Sequence, residues 1–124
     1  MRVGAQEIKI GHMPSEDTTG DMGRWDWNTG EILLKANLPV ETYSLTLLHE
    51  VLHVISDLYG LDLKESVVRV LEQGLGAWIQ DNPAIVQDMI NGIRGEKEDG
   101  ELREGGRAAK YGQLRQRTEP GSTG

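Results

Sequence analysis

"TLLHEVLHVISDLYG", Thr46 to Gly60, holds two of the three histidines in the chain. His49 and His53 stand four residues apart, and Glu50 directly follows the first. The apolar residues around them recur at helical spacing. Leu45, Leu48, Leu52 and Ile55 form one stripe, and Val51, Val54 and Leu58 widen it. A stripe that wide predicts a central helix over about Val40 to Leu58. Pro39 suits its entry and Glu41 its first turn, while Gly60 stops it. Positions i and i+4 of a helix lie on one face, about 5–6 Å apart at Cβ. The stretch is therefore either a metal-binding helix or a core helix whose two histidines pair with nearby carboxylates.

Working outward, residues 2–12 read as one strand with Ile8 and Ile10 on one face. "MPSEDTTGD" is a turn-rich loop. "GRWDWNTGEILLKA" reads as a hairpin: Trp25 and Trp27 share a face, Ile32 and Leu34 share a face, and Gly30 can take positive φ in the turn. Beyond the central helix, Asp62-x-x-Glu65 resembles a capping box opening a second helix over about Leu63 to Gln80. Its expected inner face is Val68, Leu71, Leu75, Trp78 and Ile79. Asn82 can cap a third helix from Pro83 to about Ile93, with Ile85, Met89 and Ile93 inward. Strands first and helices after predict an α+β fold. Its expected form is a small two- or three-stranded, mostly antiparallel sheet packed on the central helix, with two further helices.

The 124 residues suffice for one domain. Residues 1–93 carry nearly all the large apolar side chains and form the expected domain. Residues 94–124 are Gly-rich and charged, too poor in apolar side chains to offset the entropy of ordering. That tail is expected to be disordered, with at most a transient helix around Glu101 to Gln116. Of the net charge of −7, residues 1–93 hold −8, from 6 Lys/Arg against 14 Asp/Glu. An acidic domain argues against nucleic-acid binding, which needs a basic face. The absence of Cys removes disulfides, thiolate metal ligands and thiol catalysis. No apolar run is long enough to span a membrane, and "MRVGAQEIKIGHM" lacks the apolar core of a signal peptide. A soluble, cytoplasmic chain is the expectation.

Two imidazoles at i and i+4 can bind one Zn²⁺ at about 2.0–2.1 Å each. Glu50 lies about 100° round the helix, beside the site, where it can reach a zinc-activated water as general base without ligating the metal. The chemistry that fits is hydrolysis of an amide in a protein or peptide substrate. The third ligand has three candidates: His12, Glu65 and Glu72. If the first two helices form a tight antiparallel hairpin, the residue facing His49 and His53 is close to position 72, so spacing alone favours Glu72. Asp57, one turn past His53, can accept the free ring N–H of that histidine. Tyr43 and Tyr59 are candidates for polarising a substrate carbonyl. The two tryptophans read chiefly as packing, with a possible role in a groove where a strand edge pairs with an extended peptide.

"TLLHEVLHVISDLYGL" followed by "ESVVRVLEQGLGAWIQDNP" resembles small phage- and prophage-encoded HExxH proteins related to the ImmA/IrrE-type metallopeptidases. The hairpin "GRWDWNTGEILL" is similar to the strands preceding the metal helix there, so the likeness covers roughly Gly23 to Pro83. It implies a zinc-dependent fold in which His49 and His53 are ligands and Glu50 is the base. It also implies Glu65, the acidic residue opening the next helix, as third ligand instead of Glu72; a bend or early end in the first helix would reconcile this with the hairpin geometry. Related members are paired with a DNA-binding domain or a repressor substrate; the residues of this chain suggest no such extra domain, and none is expected. The expected activity is that of a minimal zinc metallopeptidase acting on a protein, such as a regulator in a phage or mobile element. The alternative is a non-catalytic phage accessory or binding protein with a structural or vestigial metal site.

Overall fold

A computed structural model of the protein describes residues 1–14 and 20–96. The fold is α+β, with five short strands followed by three helices. The strands are β1 (Arg2–Val3), β2 (Gln6–Glu7), β3 (Lys9–His12), β4 (Gly23–Asp26) and β5 (Glu31–Leu34); the helices are α1 (Val40–Leu58), α2 (Glu65–Asp81) and α3 (Pro83–Ile93). The chain divides into two compact units, Met1–Gln80 and a second that begins at Asp81. The expected tail lies outside the described residues from position 97 on.

Residues 2–12 are not one strand. Gly4, at φ +59°, turns the chain so that β1 and β2 form a small antiparallel hairpin before β3 begins. The chain breaks again at Ile8, between β2 and β3, so Ile8 is fully buried while Ile10 on β3 is exposed. In the second sheet the order is β3-β5-β4, with β3 parallel and β4 antiparallel to β5. The hairpin pairs Gly23 with Leu34 and Trp25 with Ile32. Gly30 closes its turn at φ +68°, and Asp26 Oδ1 accepts the backbone N–H of Asn28 (2.8 Å). Trp27 lies in that turn, exposed, and meets Trp25 edge-on at 6.4 Å.

The core lies between this sheet and α1. Ile8, Ile32, Leu34 and Val54 are buried together, with Trp25, Tyr43, Leu47, Val51 and Leu58 packed around them. The stripe of α1 that meets the sheet is therefore Tyr43–Leu47–Val51–Val54–Leu58, with Leu45 turned toward α2. Helix α1 ends in a Schellman motif: Gly60 takes φ +64°, Leu61 N–H donates to Ser56 O (2.9 Å), and Gly60 N–H reaches Asp57 O. The buried Ser56 hydroxyl then accepts from Leu63 N–H (2.8 Å), pinning the connection to α2.

Helix α2 runs antiparallel to α1 in a regular register. Glu41 meets Gln80, Leu45 meets Gly76, and His49 meets Glu72. Its inner face is Val68, Glu72, Leu75 and Gly76, whereas Leu71, Trp78 and Ile79 are exposed, contrary to the sequence expectation. A Cβ on Gly76 would fall 2.7 Å from Leu45 Cδ2, which shows how closely the two helices approach. The capping box does not form either. Asp62 adopts left-handed backbone (φ +53°), and the helix begins only at Glu65. In α3, Asn82 holds the cap position without a side-chain cap bond, Pro83 starts the helix, and Ile93 is exposed.

Strand β4 reaches α1 only because residue 23 is glycine. A Cβ there would stand 2.7 Å from Thr46 Cγ2, 3.1 Å from Leu34 Cδ2 and 3.3 Å from Glu50 Cγ. Gly74 of α2, by contrast, has nothing within 4 Å of an added Cβ. Gly23→Ala is expected to lose about 1–3 kcal/mol of stability through overpacking, and Gly74→Ala to gain up to about 1 kcal/mol from helix propensity. Thermal and urea unfolding of the two variants read both signs.

Candidate metal centre

His49 and His53 project from one face of α1 with ring centroids 4.9 Å apart. The first residue of α2 comes to meet them. Glu65 divides its carboxylate between the two rings: Oε1 lies 2.8 Å from His49 Nε2, and Oε2 lies 2.8 Å from His53 Nε2. One ligating atom from each of the three residues falls within 4.8 Å of the others. Glu72 takes a different position, 2.9 Å from Nδ1 on the other side of the His49 ring. Sequence spacing put position 72 opposite the midpoint of His49 and His53; in the structure Glu72 meets His49 alone, at the ring's outer nitrogen. The uninterrupted α1 needs no bend to admit Glu65. The late start of α2 is what carries Glu65 back across both imidazoles.

His49 thus has carboxylate oxygens at both nitrogens. A neutral imidazole carries only one N–H. Were Nδ1–H to donate to Glu72, Nε2 would present a lone pair to a carboxylate. A cation between Nε2 and Glu65 removes that conflict, and the outer carboxylate then fixes tautomer and ring direction. Two imidazole nitrogens and one carboxylate oxygen form a donor set suited to Zn²⁺. The residues present fit the metal that the HExxH spacing implies.

Electrostatics separate the three glutamates. Glu65 stands at the N-terminus of α2, where negative charge is favoured. Partial burial opposes its ionisation, but His49 and His53 outweigh that and hold its carboxyl below the ordinary value. Glu50 is 6 % exposed. Burial pushes its carboxyl above the ordinary 4.5; Glu65 and Asp21 add to the rise, and the two histidines oppose it. Against Gly23 of β4, Glu50 is a buried acid beside the His–His–Glu cluster.

Two open lobes flank Glu50. The smaller, about 370 Å³, includes Met22, Thr46 and Gln73. The larger, about 510 Å³, includes Arg24, Trp25, His53 and Asp57. His49, Glu50, Glu65 and Arg69 border both. Asp57, a candidate partner of His53 by spacing, instead accepts the indole N–H of Trp25 at Oδ2 (2.7 Å), tying the edge strand to α1. Neither tyrosine borders the lobes. Tyr43 packs on the core, and Tyr59 turns its hydroxyl toward Gly4. His12 is exposed on β3 and lies outside the cluster. Gly23 and Arg69 escaped the sequence reading, because a glycine opening an edge strand and an arginine one turn past Glu65 carry no signal until the elements meet.

A scan against protein-family models, a search of curated proteins and a search of solved structures each return no match.

Two outcomes follow from these contacts. Glu72→Leu is expected to weaken Zn²⁺ binding about 10–100-fold in chelator competition, and Glu72→Gln, which keeps an acceptor, to weaken it less. A folded-state pKa raised at Glu50 means that its contribution to stability is present below pH 4.5 and lost as pH rises through the raised value. Metal-free Glu50→Gln is therefore expected to be more stable than metal-free wild type at neutral pH, with the difference vanishing toward pH 4. Denaturant titrations in excess chelator measure it, and a pH-independent difference would contradict the raised value.

Proposed function

We propose that the chain is a zinc-dependent metallopeptidase that hydrolyses a peptide bond in a protein substrate. The observation that carries this reading is the convergence of both Nε2 atoms on the Glu65 carboxylate, with Glu50 buried alongside. His49, His53 and Glu65 would hold the metal. A zinc ion held there supplies Lewis-acid polarisation of a water molecule and of the substrate carbonyl. Glu50 takes a proton from the water as the C–O bond forms. It returns that proton to the amide nitrogen as the C–N bond breaks, giving a carboxylic acid and an amine. Burial that raises a carboxyl's pKa brings it nearer the working pH of such a proton shuttle. Glu72 holds the His49 ring in one orientation.

Strand β4 is an edge of its sheet and borders both lobes. An extended peptide can add to such an edge through main-chain hydrogen bonds, with Trp25 walling the larger lobe. No helix among the described residues is long and apolar enough to cross a membrane, and the acidic charge disfavours a nucleic-acid partner. We read the protein as acting in the cytoplasm, that of the host if a phage encodes it. The resemblance to ImmA/IrrE-type metallopeptidases points to a regulatory protein as substrate.

Purified wild type is expected to carry one Zn²⁺ per chain, and His49→Ala/His53→Ala none, by elemental analysis. Glu50→Gln is expected to keep its zinc but lose at least about 10²-fold in cleavage of a denatured protein or peptide library, since it removes the general base. Zinc-free wild type would end this reading. Full biological effect in zinc-loaded Glu50→Gln would favour a structural metal in a binding protein.

A further inference from the structure

Attack on a peptide carbonyl moves the C=O π pair onto oxygen, and donors aimed at that developing charge contribute strongly to the rate. Tyr43 and Tyr59, the two candidates in the sequence, line neither lobe, which leaves this task without a residue. We propose that Arg69 is the electrophilic group that binds the carbonyl oxyanion, an inference that rests on the peptidase reading above.

Arg69 stands one turn past Glu65 on α2, so the metal cluster and this guanidinium share a helix face. It borders both lobes, while Arg24 borders only the larger. Its Nε lies 3.5 Å from Glu65 Oε1, longer than the 2.7–2.9 Å of a charge-assisted hydrogen bond. The side chain is 69 % exposed, and so loose a surface pair holds it weakly. The guanidinium, with five N–H donors in a rigid fork, can turn to a substrate oxygen at little cost. Other donors fit less well. The Thr46 hydroxyl is committed to Thr42 O at 2.7 Å, and Gln73 is neutral and borders only the smaller lobe. In the step, water loses a proton to Glu50 as its oxygen bonds the carbonyl carbon. The electron pair on the former carbonyl oxygen is held by Arg69 N–H groups, then re-forms C=O as the C–N bond breaks and the amine takes the proton from Glu50. Arg69 neither gains nor loses a proton.

Two small probes of the zinc-loaded full chain test this without a known substrate. Phenylphosphonate presents a tetrahedral anion; acetohydroxamate chelates zinc without one. Arg69→Gln is expected to bind phenylphosphonate at least about tenfold more weakly, in line with the cost of losing an oxyanion donor. Acetohydroxamate affinity and zinc affinity should stay at wild-type values, and Arg69→Lys should fall between for the phosphonate. Undiminished phenylphosphonate binding by Arg69→Gln overturns the proposal. So does an equal loss for both probes and for zinc, which would make Arg69 a support for Glu65. A wild type that takes up no zinc and neither probe fails the peptidase reading first, and the role of Arg69 with it.

Discussion

One imidazole faces two carboxylates, and much of unit Met1–Gln80 is arranged to hold it there. His49 sits between Glu65 at Nε2 and Glu72 at Nδ1, both delivered by a helix seven residues apart along its own length. That delivery requires α2 to lie antiparallel to α1 at close range and to begin at the right residue. Gly76 permits the approach, since its missing Cβ is where Leu45 packs. The Schellman turn at Gly60 and the Ser56–Leu63 bond fix the path between the helices. Left-handed backbone at Asp62 delays the start of α2 until Glu65. Had the capping box closed, the Glu65 side chain would have folded back onto its own helix terminus, and His53 would have lost its partner.

Helix α1 consequently serves three neighbours with three faces. Tyr43, Leu47, Val54 and Leu58 give the sheet an apolar surface that accounts for most of the burial. Leu45, His49 and His53 face α2, where polar contacts replace packing. Between the two, Glu50 lies beneath β4, covered because Gly23 has no side chain. Burying a carboxylic acid in so small a domain is costly unless something offsets it. On the peptidase reading, that burial places the raised carboxyl where a general base would be needed.

Sequence periodicity and turn chemistry located the hairpin, α1 and α3 closely, because each is marked by strong local signals: Gly30 in its turn, Pro39 and Gly60 around α1, Pro83 opening α3. It misread what depends on neighbours. Residues 2–12 alternate like one strand, but Gly4 turns them into a hairpin, and a second break at Ile8 precedes an exposed Ile10. On α2 the apolar residues suggested an inner face through Leu71 and Trp78, whereas the true one runs through Glu72 and Gly76. A face that carries a carboxylate and a glycine has too little hydrophobicity to announce itself. Glu65 and Glu72 were both legible as partners of the histidines, yet their division of labour depends on a two-residue shift in a helix start. Asp57 was one turn from His53 and still chose Trp25, a contact spanning 32 residues that no local pattern encodes.

Charge gives the cluster its direction. Residues 1–93 carry −8, and Asp21, Glu50, Glu65 and Glu72 all border the smaller lobe. Like charges at such range destabilise one another, which is why Glu65 and Asp21 both help to raise the Glu50 carboxyl. Exchanging one of the carboxylates for an amide would relieve this repulsion without touching the sheet-facing core. Keeping all of them, with a guanidinium at the rim and two ring nitrogens converging on one carboxylate, makes sense for a surface whose lowest free energy is reached with a cation bound. On the peptidase reading the acidic cluster and the buried base meet one constraint: the groups that repel one another in the free chain are those that would bind and use the metal.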